Sequence, residues 1–534
     1  MAELDQSDLS GGLDLSDSTK LAHSLIRQLI ESGVSDFVIS PGSRNAPLAI
    51  ALSEAAAKNL IDLHVKIDER GAAFFALGIS KASNNYVAVI CTSGTAAANF
   101  LPAALEAVHG VNKLLVVTAD RPARLRKTGA NQTTDQVGIF KQIKTHDIST
   151  DTDIKVYLTG DPVHLNIQFD EPLISSDKSD WLAGIKITPI DFSNDIKGKL
   201  EVSTGVLVIG HDRGGFTKDE IDVFAAKLKW PIIAEDPISF PNSIPHASIF
   251  LSDQKIAEYL RPDQVISIGR TTLSRSVNSF ISSIEKSIVI DPRTKNVDSS
   301  READLVLSSL PDEVKSIETS SETWLTVADS AAKELGNLTW SEQQAITSIC
   351  DQIVDKSAVF IGSSRPVRDI EAFVHPRGGV EVFANRGLAG IDGNISTVFG
   401  IAEKFDSTTA ILGDLTFLHD ISALTNSSKS NIRIFVIDNN GGGIFSTLPQ
   451  SNADNFEQVF GTPHNLDLIK VINGFGIPAA KASNLDQLNK LILEPIKGFN
   501  VVVVSVPSRE ENASNLKELI QRVSRAVRIG INLA

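Results

Sequence analysis

Ile411-Leu412-Gly413-Asp414-Leu415-Thr416 reads as the end of a buried strand that opens into an acidic turn. Ile434-Phe435-Val436-Ile437-Asp438-Asn439-Asn440-Gly441-Gly442-Gly443 reads as a second such strand, ending in amides and glycines. The interval from Asp414 to Asn439 holds one crossover helix, which returns the chain parallel to its start and beside it. Such a β-α-β unit sets a carboxylate and an amide oxygen side by side at the carboxyl ends of neighbouring strands. Hard oxygen ligands of this kind suit Mg²⁺, which keeps positions for phosphate oxygens and water. Three successive glycines let the backbone come close to a ligand. The pair reads as a metal-diphosphate anchor. Either half alone is also an ordinary α/β turn, because Gly-Asp and Asn-Asn-Gly favour turns.

Outward from this anchor, apolar runs alternate with helical segments in three stretches. Residues 18–185 carry Phe37-Val38-Ile39-Ser40, Val87-Ala88-Val89-Ile90 and Leu114-Leu115-Val116-Val117-Thr118, with alanine-rich helices expected over Gly71 to Ser83 and Thr95 to His109. Residues 198–335 repeat the theme at Gly205 to Gly210, Gln264 to Gly269 and Ser287 to Asp291, and residues 345–534 at Ala358 to Gly362, Val380 to Phe383, the two anchor strands and Val501 to Val504. Short apolar runs separated by helices indicate parallel sheets covered on both faces. The expectation is α/β, with three doubly wound domains around central parallel sheets. Breaks are expected near Asp170 to Asp195, at Pro172, Ser175, Ser176 and Pro189, and near Pro311 to Trp340, the latter helical and acidic.

At 534 residues the chain exceeds a single core. Its hydrophobic content of 42% is that of a packed globular protein. The acidic, polar start from Met1 to Asp8 has no basic segment followed by an apolar run, so no signal peptide is expected, and no stretch approaches a membrane span. Cys91 and Cys350, the only cysteines, cannot build a disulfide framework or a Cys-based zinc site, and the chain reads as cytoplasmic. A net charge of −15 argues against nucleic-acid binding. If such a protein binds polyanions, its arginines must be gathered locally.

Several segments just past strand ends carry such groups. Ser40-Pro41-Gly42-Ser43-Arg44-Asn45 opens a helix and offers an anion seat with an arginine fork; a capped helix with a surface arginine is the alternative. In His64-Val65-Lys66-Ile67-Asp68-Glu69-Arg70-Gly71 a strand is expected to end at Asp68-Glu69. Glu69, beside apolar helix residues, is placed for partial desolvation and proton exchange. The alternative is a helix N-terminal acid complementing the macrodipole, by itself the more common case. Thr92-Ser93-Gly94-Thr95 makes a further strand-turn-helix, and Asp120-Arg121-Pro122 and Gly129-Ala130-Asn131-Gln132 add an arginine and an amide. Ser363-Ser364-Arg365-Pro366-Val367-Arg368 and Asn385-Arg386-Gly387-Leu388-Ala389-Gly390-Ile391-Asp392-Gly393 repeat the pattern. In open α/β sheets that edge binds ligands. The residues point to a metal-diphosphate enzyme handling multiply carboxylated substrates. A Rossmann oxidoreductase is disfavoured, since no strand-linked G-x-G-x-x-G with a ribose-binding acid is evident.

Together these segments, with Gly413-Asp414-Leu415-Thr416-Phe417-Leu418-His419-Asp420 and Gly441-Gly442-Gly443-Ile444-Phe445-Ser446, resemble one family over about residues 20–505: the 2-succinyl-5-enolpyruvyl-6-hydroxy-3-cyclohexene-1-carboxylate synthases of menaquinone biosynthesis. The resemblance implies a thiamin-diphosphate enzyme with Mg²⁺ or Mn²⁺. It would decarboxylate 2-oxoglutarate and add the succinyl carbanion to isochorismate. A homodimer or dimer of dimers would form its active sites at the subunit interface, with no nucleic-acid partner and no membrane insertion. Carried over by motif, Glu69 faces the aminopyrimidine, Ile391 bends the cofactor, and Asp414, Asn439 and the Gly441 carbonyl hold the metal. Counting back from Gly-Gly-Gly-Ile-Phe favours Asn439 over Asn440 and leaves Asn440 as the alternative. Ser93, Gly94, Leu415, Thr416, Gly443, Ile444 and Phe445 complete the implied cofactor contacts, and Leu448 joins the apolar wall. Ser43, Arg44, Arg121, Gln132, Ser364, Arg368 and Arg386, with Arg275 from the middle stretch, match substrate-contacting positions. Arg365, Leu388-Ala389 and Asp438 depart from the usual pattern. The alternative is another thiamin-diphosphate 2-oxoacid decarboxylase or carboligase, similar to acetolactate synthase.

Overall fold

The structure, a computed structural model, describes residues 17–175, 179–192, 198–210, 212–293, 302–426 and 430–533. The chain divides after residue 193 into two compact units. The break expected around Ser176 and Asp195 lies partly outside the described residues.

The first unit is built on β1 (Asp36–Ile39), β2 (Asp62–Val65), β3 (Val87–Cys91), β4 (Leu114–Asp120), β5 (Lys144–Ile148) and β6 (Val163–Gln168). They form one sheet of order β2-β1-β3-β4-β6-β5, in which every pairing is parallel. β1, β3, β4 and β6 are buried along their whole lengths, as apolar strands covered on both faces must be, while β2 and β5 at the two edges are partly exposed. Leu21, Leu25, Ile26 and Leu29 of the helix Ser18–Glu31 pack on Phe37, Leu52, Leu115 and Leu165. Two local expectations are corrected. The strand before Glu69 stops at Val65, and Glu69 begins the helix Glu69–Ser83, whose N-cap Asp68 accepts from the Arg70 and Gly71 N–H groups. The single helix expected from Thr95 to His109 is two, Thr95–Asn99 and Leu101–Gly110, divided where Pro102 lacks the N–H a continuous helix needs.

The second unit carries β7 (Lys199–Glu201), β8 (Gly205–Ile209), β9 (Ile232–Ala234), β10 (Gln264–Ile268), β11 (Lys286–Ile290), β12 (Leu305–Leu307) and β13 (Glu313–Lys315). β8 to β12 form a parallel sheet of order β12-β11-β10-β8-β9, and β7 pairs with β13. The Pro311 to Trp340 stretch contains the helix Glu322–Leu335. Its Trp324, Val327 and Ala331 pack with Val206 and Val265 of this sheet and with Val523 and Val527 of the long helix Arg509–Gly530.

β14 (Ala358–Ile361), β15 (Glu381–Phe383), β16 (Thr408–Gly413), β17 (Ile432–Asp438), β18 (Ala479–Ala482) and β19 (Phe499–Ser505) make a further parallel sheet, of order β15-β14-β16-β17-β19-β18. β16 and β17, the anchor strands, are neighbours in a register that aligns Gly413 with Ile437. Strand order reverses between β1 and β3 in the first unit and between β14 and β16 in this last sheet. At such a reversal the loops leaving adjacent strands diverge to opposite faces and open a crevice at the carboxyl edge.

Candidate active site

In the first unit the loops after β1 and β3 flank the reversal. Asn45, fully buried, accepts from the Gly42 N–H at 2.9 Å and donates to the Ser40 carbonyl at 2.9 Å, closing the 40–45 turn. A side chain on Gly42 would set Cβ 2.4 Å from Thr92 Cβ, so glycine is required where the two loops touch. Ser43 is exposed and Arg44 half-buried. Arg44 donates to the Phe169 carbonyl at 3.1 Å and pairs with Glu171 at 3.3 Å.

Ser93, Gly94, Arg121 and Gln132 are brought together. Arg121 Nη1 donates to Ser93 Oγ at 3.1 Å and to the Gln132 carbonyl at 2.8 Å, and Gly94, at φ +87°, lies against the Gln132 backbone. Gln132 itself sits at φ +54°, a conformation uncommon for residues with a side chain and one that recurs at functional sites. Behind them is Gln136, fully buried, which no motif in the sequence singled out. Its Oε1 accepts from the Gly94 N–H at 2.9 Å, and its Nε2 donates to Asn166 Oδ1 and the Ala119 carbonyl. Arg126, bound to Asp120 at 2.9 Å and to Asp147 at 2.8 Å, anchors the loop that carries Arg121. Glu69 is half-buried in the first turn of its helix. Burial, and then the nearby Glu69 charge, push up the thiol of Cys91 at the carboxyl end of β3.

In the second unit Ser364, at φ +75°, precedes the helix Arg365–Phe373 and its carbonyl accepts from Arg368 Nη1 at 2.6 Å. Burial, followed by the like charges of Arg365 and Arg386, holds the Arg368 guanidinium below its ordinary range. Arg365 is bound to Asp369 and Glu342. Arg386 is 7% exposed and donates from Nη2 to both oxygens of Glu235 at 2.7 and 2.9 Å. Arg275 is exposed at the start of the helix Arg275–Ser282. Ile391 is half-buried in the loop before the helix Asn394–Ile401.

At the anchor, Asp414 starts the helix Asp414–His419 and is 2% exposed. Its Oδ1 accepts from the Leu415 N–H at 2.6 Å and its Oδ2 from the Gly441 N–H at 2.7 Å. Thr416 is buried and Leu415 half-buried in the same turn. The Gly441–Gly443 run lies against the protein's own atoms. A Cβ on Gly441 would lie 2.2 Å from the Gly461 carbonyl oxygen and one on Gly442 2.3 Å from that of Phe460. Gly443, Ile444 and Phe445 continue into a 3₁₀ turn that ends at Thr447, before the half-buried Leu448.

Two groups beyond the expected metal set face Asp414. One donor atom each from Asp414, Asp438 and His464 lies within 4.8 Å of the others. His464 Nε2 is 3.3 Å from Asp414 and 3.5 Å from Asp438. Burial, then the Asp414 charge, holds the Asp438 carboxyl above its usual range, a repulsion that a divalent cation relieves. Asn439 donates from Nδ2 to Glu342 at 2.6 Å, while its Oδ1 is buried without a hydrogen-bond partner. Both ends of the Asn440 amide are taken by Asn465. The facing carboxylates of Asp414 and Asp438 fit a hard divalent cation, and the unpartnered Asn439 amide oxygen is a further hard donor just past β17. His464 carried no strand-end signal; the parallel register, which puts Asp438 level with Asp414, is what exposes the cluster.

Three family models match successive parts of the chain. "Thiamine pyrophosphate enzyme, N-terminal TPP binding domain" covers residues 19–139, "Middle domain of thiamine pyrophosphate" 176–361, and "Thiamine pyrophosphate enzyme, C-terminal TPP binding domain" 372–506. Among curated proteins, a 2-succinyl-5-enolpyruvyl-6-hydroxy-3-cyclohexene-1-carboxylate synthase of a Nocardioides species is 34% identical, over 94% of this chain and 97% of its own length. The proteins of the same name from Corynebacterium diphtheriae and Thermobifida fusca are 31% and 32% identical, over 91% and 96% of this chain and 96% and 100% of theirs.

Proposed function

The chain belongs to the 2-succinyl-5-enolpyruvyl-6-hydroxy-3-cyclohexene-1-carboxylate synthase family of thiamin-diphosphate-dependent transferases, and from that premise we propose that it decarboxylates 2-oxoglutarate and transfers the succinyl unit to isochorismate with Mg²⁺ or Mn²⁺ as metal. Thiamin diphosphate, when bound, supplies the electron sink for the decarboxylation and the carbon-carbon bond formation.

Glu69 is the proposed proton holder toward the aminopyrimidine ring nitrogen; its half-buried place in a helix's first turn, near Cys91, supports the role. Asp414, Asn439 and the Gly441 carbonyl are the proposed metal ligands, a reading supported by the unpartnered Asn439 Oδ1. Ser93, Gly94, Leu415, Thr416 and Gly443 would line the cofactor together with the bulky Ile391, and Ile444, Phe445 and Leu448 would supply apolar cover. Ser43, Arg44, Arg121, Gln132, Ser364, Arg368, Arg386 and Arg275 would take the carboxylates of two dianionic substrates, a task that needs several guanidinium forks. The proposal includes a cytoplasmic homodimer or dimer of dimers.

The observation that carries this reading is the half-buried Arg368 guanidinium, held below its ordinary range by burial and by the like charges of Arg365 and Arg386, in a chain whose net charge is −15. Arg365 and Arg386 have carboxylate partners, whereas Arg368 has none among the described residues, and a partly desolvated cation at a sheet's ligand edge calls for an anion there. The test combines the purified protein with thiamin diphosphate, Mg²⁺, 2-oxoglutarate and isochorismate and follows isochorismate loss. Consumption that requires all four supports the assignment. Turnover of pyruvate with none of 2-oxoglutarate would move it to an acetolactate-synthase-like carboligase.

A further inference from the structure

We propose that Glu235 is a positioning residue for this reaction: it holds one nitrogen of the Arg386 guanidinium, leaves another N–H for an oxygen of the acidic substrate, and ties that arginine to the loop that leads to Arg275. The inference rests on the function proposed above.

Glu235 stands just past β9, where its N–H donates to the Ile209 carbonyl at 2.9 Å. Its carboxylate is 1% exposed. Both oxygens converge on Arg386 Nη2, and Oε1 also accepts the Leu273 N–H at 2.9 Å. Leu273 lies between Thr272 and Ser274 in the loop that leads to Arg275. One carboxylate therefore fixes an arginine of one sheet's edge and a loop of its neighbour. Arg386 Nε is buried and has no hydrogen-bond partner among the described residues. An unmet buried N–H is costly unless a ligand accepts from it.

The charges around the pair point the same way. Arg368 and Arg386 bring two positive charges and Glu235 one negative charge. Glu371, buried nearby, is pushed well above the usual carboxylate range, first by burial and then by Glu235. Arg368 has no carboxylate partner among the described residues, so its charge complements a substrate carboxylate. A buried ion pair is a poor stabiliser relative to an apolar pair of the same volume, so stability alone does not account for it.

The test uses the full-length protein with thiamin diphosphate and Mg²⁺, and compares Glu235→Gln, Glu235→Asp, Arg386→Ala and the Glu235→Gln/Arg386→Ala double variant. Steady-state kinetics with 2-oxoglutarate and isochorismate are read beside cofactor binding by tryptophan fluorescence. Glu235→Gln should raise the KM of one acidic substrate by roughly tenfold to a hundredfold, as removal of an orienting partner typically does, with a smaller change in kcat and unchanged cofactor affinity. Glu235→Asp should recover part of the loss, and the double variant should be no worse than Arg386→Ala alone. Wild-type KM and kcat in Glu235→Gln with only a lowered melting temperature, or additive losses in the double variant, would overturn the proposal. If Glu235→Gln does not fold, Glu235→Asp carries the test: unchanged KM values there also overturn it. Failure of the functional reading looks different, since the unmodified protein would then consume no isochorismate.

Discussion

Replacing Gly441 by alanine would put a methyl group 2.2 Å from the Gly461 carbonyl oxygen, on a backbone at φ +136°. Real carbon-oxygen contacts are longer, so the 439–443 and 460–462 segments must part by at least about 1 Å. That movement breaks the Gly442 N–H to Gly461 carbonyl bond of 2.8 Å and shifts the Gly441 N–H that holds Asp414. The lost hydrogen bond costs about 1 kcal/mol and the backbone strain about 1–3 kcal/mol, so restoring the metal seat costs about 2–4 kcal/mol. At 1.4 kcal/mol per factor of ten, Mg²⁺ should bind roughly thirtyfold to several hundredfold more weakly. The assay is a Mg²⁺ titration of the protein saturated with thiamin diphosphate, read by fluorescence and by turnover, with thermal unfolding in parallel. Gly413→Ala is the control: its Cβ would find only Thr416 Oγ1, at 4.0 Å, so stability should be unchanged. A Gly441→Ala protein that titrates like the parent, or a Gly413→Ala protein equally destabilised, would show that the Gly441–Gly461 contact does not hold the metal seat.

Glu69→Gln should abolish turnover while leaving the melting temperature unaltered; activity near that of the parent would remove Glu69 from proton handling. Asn439→Ala should weaken Mg²⁺ binding about tenfold or more, whereas Asn440→Ala, which loses only the pairing with Asn465, should weaken it less; the reverse ranking in the same titration transfers the ligand to Asn440. His164, buried between Thr118 and Thr145, is held down to about 3 from 6.5, chiefly by burial. The fold therefore favours its neutral form, so this contribution is complete above about pH 6.5 and is lost as pH falls toward 3, at up to about 1.4 kcal/mol per pH unit. His164→Gln should flatten the stability profile between pH 6 and 4.5 in denaturant unfolding, and an unchanged slope would contradict the burial argument.

Architecture and chemistry class were both legible in the order of the residues. Runs such as Leu114 to Val117 and Ile434 to Ile437 are apolar on both faces, and only strands covered on both sides need that, so parallel sheets follow from periodicity alone. The small and charged residues after those strands mark the ligand edge because side chains there are released from packing. Local detail was less legible. Glu69 entered a helix rather than ending a strand because Asp68 caps the N–H groups of Arg70 and Gly71, a contest between two adjacent acids that spacing does not resolve. Tertiary structure alone decided which charges are spent. Arg365 and Arg386 look alike in sequence, yet one is bound by Asp369 and Glu342 and the other by Glu235, a residue 151 positions away. It likewise brought His464 to Asp414 from 50 positions downstream and turned the glycines after Asn440 against Phe460 and Gly461. Such pairings depend on which loops meet across a folded edge, and that follows from strand register and packing, which no local pattern encodes.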